Sequence, residues 1–329
     1  MNVPVLTIVV PCYNEEETLE ETTKELTRVM ENLVSNKKIS SESSILYVDD
    51  GSSDRTWEIV EEKIVSNIYV QGLKLSRNFG HQGALIAGLE TAKDFSDCVV
   101  TIDADLQDDV DAIYQFIDKY QEGYEIVYGV RDKRDTDTAF KRNTALWFYK
   151  LMEKLGVKLV PNHADYRLMS KRALDEFVKY QEENLFLRGI VPLLGFKTSK
   201  VFYNRKERFA GESKYPLKKM IAFAFDGITS FSVAPIRFVS FLGFLLVLIG
   251  ILIAIYTLFA KLFSFTTSGW TSLMLSIWIV GGMQLLAIGI IGEYIGKIFK
   301  ETKRRPRYTI EQNSFLEKRK GQIIDFIKK

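Results

Sequence analysis

The chain has 329 residues, 47% of them hydrophobic, so it can bury one large core or two smaller ones. Its 44 Lys and Arg against 42 Asp and Glu leave a net charge of +2, which gives no reason to expect a nucleic-acid binder. Charged residues are dense up to Arg237, scarce as far as Glu293 and frequent again from Lys297. This distribution predicts a soluble half followed by a membrane half.

Three short apolar runs in the first half are rich in β-branched residues, and each is followed by polar residues. They are residues 5–11, 44–48 and 98–102. Helical patterns lie beside them, at residues 16–33, 56–66 and 83–93. Short apolar runs of this kind are typical of buried parallel strands. Their alternation with helices predicts an α/β domain that binds its ligands at the carboxyl ends of the strands.

Polar and acidic residues collect where these runs end. The three ends are residues 11–15, 49–54 and 103–107. Each end taken alone has an ordinary explanation, since Ser53 or Asp54 suits a helix N-cap, and Asp108 with Asp109 suits the first turn of a helix from Val110. Their succession on neighbouring strands instead indicates one binding crevice.

The sequence contains neither G-x-G-x-x-G after the first strand nor G-x-x-x-x-G-K-[ST], so it supports neither a dinucleotide fold nor a P-loop. A bound phosphate therefore needs another counter-charge. Asp105, with Asp103 two residues before it in a segment predicted to be extended, suits Mg²⁺ or Mn²⁺. His81 and His163 are too few and too scattered for a zinc site.

The two cysteines, Cys12 and Cys98, lie in apolar runs and are predicted to be buried, reduced thiols. Residues 1–10 are too short, and too close to a polar stretch, to form a secretory signal. We therefore expect the soluble domain in the cytosol.

Two uncharged runs, residues 238–260 and 271–292, are each long enough to cross a bilayer as a helix. The turn between them is short, so they predict a hairpin with both ends on one side. Basic residues flank it at Lys218, Lys219 and Arg237 and again from Lys297, which assigns that side to the cytoplasm. The alternative is a buried apolar hairpin of a soluble protein.

Residues 216–235 have apolar side chains at helical spacing and predict an amphipathic helix lying in the membrane interface, or else a surface helix packed on the soluble domain. Gly289, Gly292 and Gly296 are a weak indication of close helix packing and of a homo-oligomer. The predicted organisation is a cytoplasmic catalytic domain, an amphipathic helix, two transmembrane helices and a basic cytoplasmic tail. These cover residues 1–215, 216–235, 236–296 and 297–329.

Several motifs together resemble the family 2 glycosyltransferases of the GT-A fold. They include VVPCYNEEETL, VDDGSSDRT, LSRNFGHQGALIAGL, TIDADLQDD, VYGVRDKR, HADYRLMSK and NRKERFAGESKYPLKKM. Within that family the chain is similar to polyprenyl-phosphate glycosyltransferases such as dolichyl-phosphate mannose synthase and bactoprenol glucosyltransferases. The resemblance implies an α/β, Rossmann-like GT-A domain followed by the two-helix membrane hairpin.

The resemblance also implies roles for individual residues. The residues expected at the nucleotide sugar are Pro11, Tyr13, Asn14, Glu15, Asp50, Asp103 and Ala104. Those expected at the acceptor phosphate are Arg131, Arg142, Arg205, Arg208, Ser213 and Lys214. Asp105 and Gln107 would hold Mg²⁺ or Mn²⁺, and Asp165, with Asp105, would serve catalysis.

The expected reaction is an inverting transfer from a nucleotide diphosphate sugar, UDP-hexose by resemblance, to polyprenyl phosphate at a cell membrane. The stretch QEENLFLRG lacks the Q-x-x-R-W signature of processive synthases, which favours a single transfer. Two alternatives remain open. One is a glycosyltransferase acting on another lipid, such as diacylglycerol, and the other is a non-catalytic membrane protein that senses nucleotide sugars.

Overall fold

The computed structural model describes residues 3–132, 163–182, 187–204, 234–262 and 269–315. The chain divides into two compact units. The first contains the sheet with its helices and also the chain from Arg305 onward, whereas the second contains two long apolar helices.

Eight strands and six helices are described in the first unit. The strands are β1 (Leu6–Cys12), β2 (Ser44–Asp49), β3 (Val70–Leu75), β4 (Cys98–Thr101), β5 (Ile126–Arg131), β6 (His163–Ser170), β7 (Thr198–Tyr203) and β8 (Ile310–Asn313). The helices are α1 (Leu19–Ser35), α2 (Thr56–Ser66), α3 (His81–Ala92), α4 (Ala112–Gln121), α5 (Lys171–Phe177) and α6 (Leu187–Leu193). The three predicted strands and three predicted helices of the first half are confirmed, with ends that differ by up to three residues.

The strands form one mixed sheet in the order β7-β5-β6-β4-β1-β2-β3-β8. β4, β1, β2 and β3 run parallel to one another, and β6 runs antiparallel between β4 and β5. All seven residues of β1 and all six of β2 are buried, because helices cover both faces of a parallel sheet. Both cysteines are free and buried, as predicted.

The chain order reverses at β1, which has β2 on one side and β4 on the other. At such a switch point the loops leave the sheet in opposite directions and open a crevice outside the carboxyl ends of the strands. Because β6 is antiparallel to β4, it begins at this same edge, with Thr101 paired to Arg167. The start of β6 therefore joins the polar strand ends of the first half.

The C-terminal segment completes the other side of the sheet. β8 pairs antiparallel with β3, and Ser314 Oγ both accepts from the Gly72 N–H at 2.7 Å and lies 3.1 Å from Gln71 Oε1. Arg307 Nη2 donates to Glu90 Oε1 of α3 at 2.8 Å. The sequence predicted residues 297–329 only as a basic tail and did not foresee this edge strand.

The second unit contains α7 (Ala234–Leu262) and α8 (Trp270–Lys303). Their most apolar windows, Pro235–Leu252 and Ile279–Lys303, have mean hydropathies of 2.3 and 1.5, and both helices are long and apolar enough to cross a membrane. The predicted α/β domain followed by two long apolar helices is confirmed. Most of the predicted amphipathic helix at 216–235 lies outside the described residues.

Candidate active site

The loops that follow β1 and β2 are locked together by Asn14. Its backbone lies in the left-handed region, with φ of 55°, and its N–H donates to Ser52 Oγ at 3.0 Å. Its side-chain oxygen accepts from the Ser53 N–H at 2.9 Å. The Glu15 N–H donates to Thr56 Oγ1 at 2.9 Å in the same interface. The ring of Tyr13 is 46% exposed beside this rigid pair of loops.

Asp50 is buried at the end of β2 and organises the loop that follows β3. Its two carboxylate oxygens accept from the Phe79 N–H at 2.7 Å and the Gly80 N–H at 2.9 Å. Gly51 has φ of 67°, and a Cβ there would lie 2.5 Å from the carbonyl carbon of Arg77, so only glycine fits. Burial raises the pKa of Asp50 although both N–H groups oppose the rise.

The chain turns sharply after β4. Residues 104 and 105 form a turn and Leu106 has φ of 54°, so the prediction of an extended segment that puts Asp103 and Asp105 on one face is wrong. Instead the Gln107 N–H donates to Asp105 Oδ1 at 3.2 Å, which brings these two residues together in one turn. Ala104 is buried, and its carbonyl accepts from Thr22 Oγ1 of α1 at 2.8 Å.

Asp108 is buried and, contrary to what its sequence position suggested, does not lie in the first turn of a helix. α4 begins only at Ala112, and the Asp108 side chain is 1% exposed. Its Oδ1 accepts from Arg131 Nη2 at 3.0 Å and from the Tyr203 hydroxyl at 2.6 Å. Arg131, at the end of β5, is thus fixed by a carboxylate, and its pKa is raised although burial opposes the rise.

Asp165 lies two residues into β6 and is held by two guanidinium groups. Its Oδ1 is hydrogen-bonded by Arg167, whose side chain is 3% exposed, and its Oδ2 accepts from Arg188 Nη2 at 3.1 Å. The Thr101 hydroxyl donates to the Asp165 carbonyl. Burial alone would raise the pKa of Asp165, but Arg188 and Arg167 outweigh it and hold that pKa below its ordinary value. The carboxylate is therefore ionised and a weak base at neutral pH.

His81 links this carboxylate to the end of β4. Its Nε2 is 3.6 Å from Asp103 Oδ1 and 3.8 Å from Asp165 Oδ2. Burial, partly offset by His81, raises the pKa of Asp103 to about 6. The start of α3, the end of β4 and the start of β6 therefore meet at one point of the crevice.

A sequence model of the family described as Glycosyl transferase family 2 matches residues 7–178, more than half of the chain. The chain belongs to the family 2 glycosyltransferases. An uncharacterized glycosyltransferase of Bacillus subtilis, YkoT, is 61% identical over 308 residues, which cover 94% of this chain and 91% of that protein. The bactoprenol glucosyl transferase of Shigella phage SfII is 39% identical over 310 residues, covering 94% and 98%.

Among solved structures, glucosyl-3-phosphoglycerate synthase from Mycobacterium tuberculosis in complex with phosphoglyceric acid is similar at 18% identity and a TM-score of 0.46. The match covers 69% of this chain and 79% of that one. At this level of similarity it adds nothing to the assignment of residues.

The described part of the glycosyltransferase brings together most of the residues that the sequence singled out. Pro11, Asn14, Glu15 and Asp50 lie at the ends of β1 and β2, and Asp103 to Gln107 follow β4 across the switch point. Five residues predicted for the acceptor phosphate lie outside the described residues. They are Arg142, Arg205, Arg208, Ser213 and Lys214.

Four ionisable residues of the site were not among the predicted ones. His81, Asp108 and Arg167 stand inside motifs quoted for the family resemblance, so a closer reading of those motifs could have raised them. Arg188 falls in QEENLFLRG, which was considered only for lacking a processive signature. Its contact with Asp165 joins α6 to β6, and no local pattern predicts such a pairing.

Proposed function

We propose that this glycosyltransferase moves a hexose from a UDP-sugar to polyprenyl phosphate, undecaprenyl phosphate in bacteria, giving a polyprenyl-monophosphate-linked sugar for glycosylation of the cell envelope. The observation that carries the proposal is similarity at 38–40% identity to bactoprenol glucosyl transferases over 93–94% of the chain. That similarity spans both the crevice and the apolar helices.

On the donor side, the nucleoside would lie against Pro11, Tyr13, Asn14 and Glu15 and against Asp50, which organises the neighbouring loop after β3. Tyr13 supports this assignment, because an exposed aromatic ring beside a rigid loop offers a stacking surface for a base. Asp103 and Ala104 would face the ribose and phosphates. They follow β4 directly, on the opposite side of the switch point.

Asp105 and Gln107 would hold Mg²⁺ or Mn²⁺ with their side-chain oxygens. Within the described ranges no group of three or more His, Cys, Asp or Glu side chains could hold a metal ion. Such a sparse protein set fits Mg²⁺, which is commonly bound by one or two carboxylates together with substrate phosphates and water. When bound, the metal would stabilise the negative charge that builds on the departing diphosphate.

In the reaction an oxygen of the lipid phosphate attacks the anomeric carbon. The bond from that carbon to the diphosphate breaks, and the nucleoside diphosphate leaves with the electron pair. A phosphate monoester has a second pKa near 6, so the nucleophile is largely ionised at neutral pH. The lowered pKa of Asp165 makes it a poor proton acceptor, and we assign it an orienting role. One displacement inverts the anomeric configuration.

Arg131 would bind the acceptor phosphate. Its hydrogen bonds to Asp108 use Nε and Nη2, so the guanidinium is oriented by one edge and can offer Nη1 to a phosphate oxygen. We propose the same role for the five residues outside the described part. In the cell the two apolar helices would form a membrane hairpin with the catalytic unit in the cytoplasm, and the chain could self-associate there.

The test is an assay of the purified full-length chain with a panel of nucleotide sugars, Mn²⁺ or Mg²⁺ and three acceptors: undecaprenyl phosphate, undecaprenol and diacylglycerol. We expect one glycolipid, formed only with the phosphate and with inverted configuration. A product on diacylglycerol, or donor binding without turnover on any lipid, would overturn the proposal.

A further inference from the structure

His81 is the first residue of α3, and the backbone that precedes it is held in place. The helix follows Gly80, whose φ of 87° is accessible to glycine at little cost, and both Phe79 and Gly80 donate backbone N–H bonds to buried Asp50. The side chain of His81 is 43% exposed, so it is accessible in the crevice although the backbone before it is fixed. None of the roles assigned above uses it.

The imidazole lies between two carboxylates that come from different strands. Nε2 is 3.6 Å from Asp103 Oδ1, after β4, and 3.8 Å from Asp165 Oδ2, in β6. Asp165 also contacts Arg167 and Arg188, so the imidazole joins this cluster to Asp103. The imidazole is therefore within ion-pair distance of both carboxylates.

We propose that His81 is a positioning residue whose imidazole pairs with both Asp103 and Asp165, and so fixes the separation between the donor side and the reaction side of the crevice. Since catalysis depends on ångström-level alignment of the reacting atoms, loss of this bridge should slow the chemical step more than it weakens donor binding. The inference rests on the proposed function for its assay.

Three substitutions separate charge from shape. His81→Lys keeps a cation within reach and should retain kcat within about fivefold, whereas His81→Gln keeps only a neutral donor and His81→Leu keeps neither. For the latter two we expect kcat to fall by at least about 30-fold, with the donor KM changed by less than about threefold. Glu58→Gln, at an exposed position in the first turn of α2, is the matched control and should behave as wild type.

A double-mutant cycle tests whether His81 acts through Asp165. In an Asp165→Asn background, His81→Leu should lower kcat by less than about a further threefold, because the effects of coupled residues are not additive. Equal losses in both backgrounds, full activity of His81→Leu, or His81→Gln matching wild type would each overturn the inference. Thermal unfolding of each variant identifies a loss that is merely structural.

The outcome is distinguishable from failure of the proposed function. If the wild-type chain glycosylates no polyprenyl phosphate, that function fails. The His81 ratios are then measured on hydrolysis of the nucleotide sugar, which needs no lipid. Faster hydrolysis by His81→Lys than by His81→Gln and His81→Leu supports the inference, and equal rates of hydrolysis overturn it.

Discussion

Asp50, which is buried, and Asp165, whose side chain is 11% exposed, are carboxylates at the same edge of the sheet, yet their surroundings differ. Asp50 is held by two backbone N–H groups, and burial raises its pKa. Asp165 is held by two guanidinium groups, and its pKa is lowered in spite of burial. Neutral donors offset only part of the desolvation of the one carboxylate, whereas positive charges overcompensate that of the other.

The difference separates two tasks within one crevice. Backbone amides cannot move without moving the loop, so Asp50 fixes the shape of the segment Ser76–Gly80 beside the proposed nucleoside site. Guanidinium groups keep Asp165 ionised, so that a fixed negative charge persists beside the proposed reacting centre. The predictions below ask whether the two tasks separate in experiment.

The largest effect is expected at Asp105, which belongs to neither the Asp50 nor the Asp165 cluster of contacts. Asp105→Ala should reduce lipid-linked sugar formation by at least about 1,000-fold, because the leaving diphosphate would lose the metal that we propose stabilises its charge. The melting temperature should change little, since the side chain is only partly buried. Product formation at saturating Mn²⁺, measured by thin-layer chromatography, checks this.

A surface aspartate supplies the control for that variant. Asp118→Ala removes an exposed ion pair with Lys38 and should leave both turnover and stability unchanged. Normal turnover of Asp105→Ala at saturating metal would exclude a metal role for this residue.

The next largest effect is expected on the free energy of unfolding, which should distinguish Asp50 from Asp165. Asp165→Asn leaves the buried guanidinium of Arg167 without its charge partner and should lower the free energy of unfolding by about 3–5 kcal/mol. Asp50→Asn still accepts one backbone N–H and should lower it by only about 1–3 kcal/mol. Thermal unfolding of the full-length chain in detergent measures both. Equal losses would mean that charge and backbone donors stabilise the edge in the same way.

Arg188 should have a smaller effect, confined to activity. Its side chain is 38% exposed, so Arg188→Gln should change stability little, but it removes one of the two guanidinium partners of Asp165. We expect kcat to fall by roughly 10- to 100-fold, with partial recovery in Arg188→Lys. Arg172→Gln, at an exposed pair with Glu125, is the matched control. If Arg188→Gln raised the donor KM without changing kcat, Arg188 would belong to the donor site.

The smallest expected effect is a difference in the pH dependence of stability. The pKa of Asp50 is raised from 3.8, so the folded chain binds its proton first and stability falls as pH rises from about 4 to the folded pKa. The pKa of Asp165 is lowered from 3.8, so its contribution is present above about pH 4 and is lost as pH falls below that value.

The stability gap between wild type and Asp165→Asn should therefore narrow below pH 4. The gap between wild type and Asp50→Asn should widen as pH falls from neutral toward 4. Denaturation curves taken at a series of pH values test both signs. Gaps that move in the same direction would contradict the opposite pKa shifts.

Local patterns were sufficient to predict three strands in the first half of the fold. The apolar runs that became β1, β2 and β4 are continuous and β-branched, and the polar residues after them mark a ligand-binding edge of the sheet. They do not determine which distant segments pair. β8 has the sequence IEQN and is mostly exposed, so no hydrophobic signal announces its place beside β3.

The candidate site was likewise predictable from local motifs, but its contacts with distant segments were not. Asp50, Asp103, Asp105 and Asp165 were predicted because they stand in recognisable motifs. The partners that decide their chemistry come from elsewhere in the fold: the Phe79 backbone reaches Asp50, and Arg188 reaches Asp165 from a different element. Sequence indicated which carboxylates matter, and only packing revealed which are charged and by what they are held.

Donor binding and turnover, compared between Asp50→Asn and Asp165→Asn, test the division of tasks most directly. Calorimetry with the nucleotide sugar and Mn²⁺, without lipid, gives affinity, and single-turnover transfer to undecaprenyl phosphate gives the rate of the bound complex. The account predicts that Asp165→Asn binds donor within about threefold of wild type but transfers at least about 1,000-fold more slowly. Asp50→Asn should bind donor at least about tenfold more weakly, a loss of about 1.4 kcal/mol, and transfer at nearly the normal rate once donor is bound. The reverse pattern, weak donor binding in Asp165→Asn and slow transfer in Asp50→Asn, would contradict it.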